Sequence, residues 1–86
     1  MVYIDIYSAS WCQPCRTLIP KIQEEAAKIE HVEVRVHKEP GLWPAPPDGG
    51  AAITSVPTTF VGRTRFSPGS SPVAIFREVR RQLDAL

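Results

Sequence analysis

An α/β fold of order β-α-β-(Pro-rich loop)-β-β-α, with a mixed four-stranded sheet, is predicted by three features of the 86-residue chain. Residues 2–7 and 32–36 read as strands on either side of one helical stretch. Residues 58–66 read as two short strands around Gly62-Arg63, and the C-terminal segment reads as an amphipathic helix. A right-handed crossover then makes the first two strands parallel and the last two antiparallel. The length and the 43% hydrophobic content fit a single domain over residues 1–86.

Val2-Tyr3-Ile4-Asp5-Ile6-Tyr7 mixes β-branched, aromatic and apolar residues with one charge, as a strand buried on at least one face requires. After Ser8-Ala9-Ser10-Trp11, Cys15, Leu18, Ile19, Ile22, Ala26 and Ile29 recur at helical spacing, which predicts a helix ending near His31. Val32-Glu33-Val34-Arg35-Val36 alternates with period two, the clearest strand signal in the chain. The prolines and glycines between Glu39 and Gly50 exclude a regular element from most of that stretch. Asp48 is a candidate cap for a short helical turn over Ala51-Ala52-Ile53. Trp43 either folds over the functional site or anchors this loop on the core, and the anchor is the simpler reading. Thr58-Thr59-Phe60-Val61 and Thr64-Arg65-Phe66 suit a tight hairpin. Ser71-Pro72 is an N-cap followed by a first-turn proline, with Val73, Phe76, Val79, Leu83 and Leu86 as the apolar stripe behind it.

A net charge of +1 points to neither nucleic acid nor membrane. Arg63, Arg65, Arg77, Arg80 and Arg81 outnumber Glu78 and Asp84 in the last segment, a pattern read first as a solvated helix face. Met1 leads straight into the first strand without a signal peptide, and no apolar run reaches membrane-spanning length, so a cytoplasmic location is expected. Dithiols there are kept reduced, and a close cysteine pair is catalytic or metal-binding more often than structural. Cys12, Cys15, His31 and His37 do carry a zinc-like numerical spacing. If residues 15–30 form one helix, however, His31 lies roughly 24 Å along the axis from Cys15, too far to share one ion. No metal and no cofactor are therefore expected, and both histidines read as exposed residues at element ends.

A strand-to-helix junction places Cys12 where free backbone N–H groups and the helix dipole favour negative charge. Thiols in such C-x-x-C positions are commonly lowered from about 8.5 toward about 7, which makes Cys12 the candidate nucleophile. Cys15 lies one turn deeper, within disulfide reach, and is the candidate resolving thiol. Pro14 is tolerated because the first helical turn has no use for its missing N–H.

Ala9-Ser10-Trp11-Cys12-Gln13-Pro14-Cys15-Arg16 resembles the active-site motif of the thioredoxin family, with Gln13 in place of the usual glycine. Pro20 matches the kink proline of that family's active-site helix, and Val56-Pro57-Thr58 matches its second signature. The resemblance implies a minimal thioredoxin fold and a dithiol–disulfide oxidoreductase with Cys12 and Cys15 catalytic and Trp11, Gln13 and Pro14 supporting them. It also implies that Val56, Pro57 and Thr58 dock the substrate, with the Val56–Pro57 bond cis. Base rates alone favour a trans proline at a strand start. Trp11 is either part of the docking surface or a packing residue.

The implied partners are protein disulfides and a thioredoxin reductase-type flavoprotein, acting on a monomer. The chain departs from the family pattern at Ile6, where a buried acid is usual, with Asp5 next to it on the opposite strand face. It also lacks the family's first strand and helix, and the Pro-rich stretch stands where a second helix is usual. That size is closer to a glutaredoxin, whose Gly-Gly-x-Asp run and basic residue before the motif are missing. A glutaredoxin-like enzyme, or a dedicated electron donor to one enzyme such as a ribonucleotide reductase, is the alternative within the same chemistry. A non-catalytic binding module is the alternative outside it, and the joint presence of Cys12, Pro14, Cys15 and Pro57 argues against that.

Overall fold

A computed structural model describes residues 1–86. Its elements are β1 (Val2–Tyr7), α1 (Gln13–Ala26), β2 (Val32–His37), β3 (Thr58–Val61), β4 (Thr64–Phe66) and α2 (Pro72–Asp84), with a single 3-10 turn over Pro40–Leu42. The sheet order is β2-β1-β3-β4, with β1 parallel to β2 and the β1–β3 and β3–β4 pairs antiparallel. This α/β arrangement with a mixed four-stranded sheet and two helices is consistent with a minimal thioredoxin fold.

Strand periodicity sorts the side chains onto two different faces. Val2, Ile4 and Ile6 face both helices and form one core with Ile22 and Ala26 of α1, Val61 of β3, and Ile75, Phe76 and Val79 of α2. Tyr3, Asp5 and Tyr7 alternate with them and face the other way. There, Tyr7 stacks edge-on against Trp43 and Phe60, with ring centroids at 5.5 and 5.4 Å, and its hydroxyl donates to Ala45 O at 3.2 Å. Burial, reinforced by the charge of Asp5, raises the Tyr7 phenol above its ordinary value. The Trp43 indole N–H donates to His37 O at 2.9 Å and to Ser8 O at 3.2 Å, so the tryptophan anchors the Pro-rich loop to the end of the sheet.

Three elements differ from the sequence reading. α1 stops at Ala26 rather than near His31, because Lys28 and Ile29 donate to carbonyls three residues back and His31 takes a left-handed φ of 66°. His31 O accepts from Val2 N at 2.7 Å, which fixes that turn at the start of the sheet. No helical turn forms over 51–53. Asp48 accepts instead from Gly50 N and receives two hydrogen bonds from the Arg65 guanidinium, a pairing that uses up the cap. In α2 the buried stripe is Ile75, Phe76 and Val79, while Val73 is 69% exposed and Leu86 lies beyond the helix end. Val73 sits about 160° around the helix from Ile75, outside the arc that Ile75, Val79 and Phe76 share.

The hairpin turn is built on Gly62, whose φ is 57° and where a Cβ would stand 2.6 Å from Gln82 Oε1. Gln82 Nε2 donates to Val61 O and to Glu78 Oε2, which also accepts from Thr64 Oγ1, so α2 is tied to the hairpin through one carboxylate. Hydrogen bonds from Arg81 and Gln82 hold the Glu78 carboxyl at about 2, against 4.5 ordinarily. Stabilisation from a depressed carboxyl is complete above its unfolded value and is lost as pH falls through the folded one, here between about 4.5 and about 2. Glu78→Gln is accordingly expected to cost about 1 kcal/mol at neutral pH. It should also flatten the loss of stability on the acid side, which urea midpoints measured across that pH range will show.

Candidate active site

β1 is an inner strand, and the cysteine motif follows directly from its C-terminal end. Ser8 N donates to His37 O at 2.8 Å, which continues the β1–β2 pairing beyond Tyr7, and Cys12 N donates to Ala9 O at 3.0 Å to close a turn. Cys12 is thereby the N-cap of α1, with Gln13 and Pro14 as its first helical residues and Cys15 one turn in. The two cysteines form a disulfide across a Cα–Cα distance of 5.4 Å. Cys15 N points at Cys12 Sγ at 3.3 Å, so one of the helix's free N–H groups is aimed at the sulfur where charge would develop. Pro20 lies within α1 without ending it.

The sequence reading expects Cys12 to be the more accessible cysteine, but the two residues are buried almost equally, at 3% and 2% exposure. Ala9 is buried with the pair, and Ile19 and Val56 pack against that cluster. Trp11, next in the chain, is 74% exposed and does not pack into the core. Gln13 and Pro14 are exposed beside it.

Val56 reaches the cysteines from the far end of the Pro-rich loop, and the Val56–Pro57 peptide is cis. Pro57 is buried, and Thr58 opens β3 opposite Tyr7 while its hydroxyl donates to Ser55 O at 2.6 Å. The structure thus gathers Cys12, Cys15 and Val56 into one cluster, with Pro57 and Thr58 adjoining it in the chain.

A groove of about 580 Å³ runs from the disulfide along the α1–β2 edge. Arg16, Ile19 and Pro20 line it from α1, and Val36 and Lys38 line it from β2 and the residue after it. Lys38 and Val36 were not picked out from the sequence. The alternation of β2 was the available signal, since it sets residues 36 and 38 on the α1 side once Ile6 is paired with Val36.

No carboxylate lines this groove. Asp5, the acid nearest the motif in the chain, faces away, where it is 2% exposed and accepts from Arg35 Nε and Nη2, each at 2.9 Å. His37 Nε2 lies 2.9 Å from the same carboxylate. His37 is therefore not the exposed strand-end residue that the sequence suggests. In the parallel register Asp5 pairs with Arg35 and Tyr7 with His37, so both basic side chains share the Asp5 face. His31, by contrast, is exposed.

No protein-family profile matches the chain. A stretch of 40 residues is 42% identical to thioredoxin H8 of Arabidopsis thaliana. The match takes in 43% of this chain and 27% of that protein, so the chain spans about a quarter of the relative's length. This partial likeness to a thioredoxin, together with the Cys12–Cys15 disulfide, points to thiol–disulfide redox chemistry. No helix is long and apolar enough to cross a membrane.

Proposed function

We propose that the chain is a single-domain, monomeric member of the thioredoxin family that reduces protein disulfides in the cytoplasm. The observation that carries this reading is the Cys12–Cys15 disulfide at the start of α1, in a buried cluster with Ala9 against which Val56 packs. In the reduced protein the Cys12 thiolate attacks one sulfur of a substrate disulfide. That bond breaks, the departing sulfur takes a proton, and a mixed disulfide forms at Cys12. Cys15 then gives up its proton and attacks Cys12 Sγ. The second substrate sulfur leaves as a thiol, and two electrons have passed to the substrate. With Ile6 in place of an acid and Asp5 bound to Arg35 and His37, the Cys15 proton passes to solvent along the groove.

In this reading backbone groups of Val56 pair with the substrate chain, Pro57 and Thr58 fix that segment, and the exposed Trp11, Gln13 and Pro14 form the rim. No cofactor enters this cycle, because the electrons come from an external dithiol. A thioredoxin reductase-type flavoprotein suits that role better than glutathione, since no acid caps the start of α2 at Ser70-Ser71. The test is turnover of an accessible protein disulfide with dithiothreitol, with a flavoprotein thioredoxin reductase and with glutathione as alternative donors. Catalysis with the first two, faster than with glutathione, is expected. Turnover at the uncatalysed rate with every donor would dismiss the reading, and preference for glutathione would move the protein to the glutaredoxin class.

A further inference from the structure

We propose that the disulfides this protein reduces are carried on acidic polypeptide segments, whose Asp or Glu side chains are received by Arg16 and Lys38 in the groove beside the disulfide. The proposal rests on the redox reading above and names its substrate class. Two side chains of fixed charge line the groove, and both are cations. The Arg16 guanidinium folds back over the cysteine turn and donates to Ser10 O at 3.4 Å. Lys38 follows His37, whose carbonyl is held by Ser8 N and by Trp43, so its Cα is fixed relative to the Cys12 turn. Neither cation takes part in any ion pair of the molecule, whereas Arg35, Arg65 and Arg81 are each joined to a carboxylate. Glu39 is next to Lys38 in the chain but does not line the groove.

A comparison within the molecule shows that this pattern is local. The other large groove, between α1 and α2, also carries cations, Lys21, Lys28, Arg77 and Arg80. Glu24 and Glu25 stand among them, and Glu25 pairs with Lys28 at 3.8 Å. Charge there is partly neutralised, while beside Cys12 it is not. Ile19, Pro20 and Val36 add an apolar wall, so the groove suits an extended chain that presents an acidic side chain beside an apolar one. Exposed charges at such a rim act mainly on the rate of encounter, and salt weakens them.

The experiment compares three disulfide-bonded peptides that differ only in Glu, Gln or Lys flanking the cysteines. At low ionic strength, kcat/KM for the Glu-flanked peptide should exceed that for the Gln-flanked one about five-fold. The ratio should fall toward one at high ionic strength and in the Arg16→Gln/Lys38→Gln protein. Lys38→Glu should shift the preference toward the Lys-flanked peptide. Equal rates for all three peptides, or faster turnover of the Lys-flanked peptide than of the Glu-flanked one, would overturn the proposal and leave the redox reading standing. Failure to reduce any peptide is a different result, and it would remove both.

Discussion

Cys12→Ser should reduce disulfide turnover to the uncatalysed rate, whereas Cys15→Ser should retain a first attack and accumulate mixed disulfides with its substrates. The asymmetry follows from position rather than exposure, since both cysteines are nearly buried in the disulfide. Cys12 is the N-cap residue, and the Cys15 backbone N–H is directed at its sulfur, so negative charge is favoured on Cys12. Cys15 has no comparable donor, and the groove beside it supplies no carboxylate to take its proton. A loss of about a thousand-fold or more is the size expected when a covalent nucleophile is removed. Non-reducing electrophoresis and mass spectrometry of the trapped species distinguish the two variants. Equal trapping by both would reverse the assignment of attacking and resolving thiols.

Much of this site was legible because its signals are local. Ser8 to Cys15 is one continuous strand-to-helix junction, and period-two alternation in Val32–Val36 predicts the parallel partner of β1. What stayed illegible depends on contacts distant in sequence. Nothing near His37 shows that it meets Asp5, 32 residues away, because that meeting needs the β1–β2 register. Lys38 escaped notice for the same reason, since its place beside the disulfide is set by the strand it follows. The end of α1 was misjudged because Ile29 continues the apolar spacing and packs on the core from a turn, beyond the last helical residue. The capping role expected of Asp48 failed to a long-range competitor, Arg65.

Tyr7→Ala should be among the most destabilising single changes in the protein, lowering stability by about 3–5 kcal/mol. Tyr7 is 1% exposed and stands at the C-terminal end of β1, on the sheet face that no helix covers. Trp43, Phe60 and His37 surround its ring, the last at 4.8 Å, and its hydroxyl holds Ala45. Removing the ring opens a cavity between β1 and the loop, and it takes away the surface on which Trp43 rests. A loss of this size is a large fraction of the roughly 5–15 kcal/mol that holds a small domain folded. Tyr7→Phe keeps the ring and loses one neutral hydrogen bond, so about 1 kcal/mol is expected from that change. Trp43→Ala leaves Tyr7 in place but releases the loop from Ser8 O and His37 O. Because that loop carries Val56 to the cysteines, its release should slow disulfide reduction in addition to exposing residues 38–57 to proteolysis. Urea midpoints rank the three variants, and limited proteolysis locates the released segment. A Tyr7→Ala midpoint no lower than that of Tyr7→Phe would show that the aromatic cluster does not hold the loop, and unchanged cleavage and turnover in Trp43→Ala would separate the loop from the site.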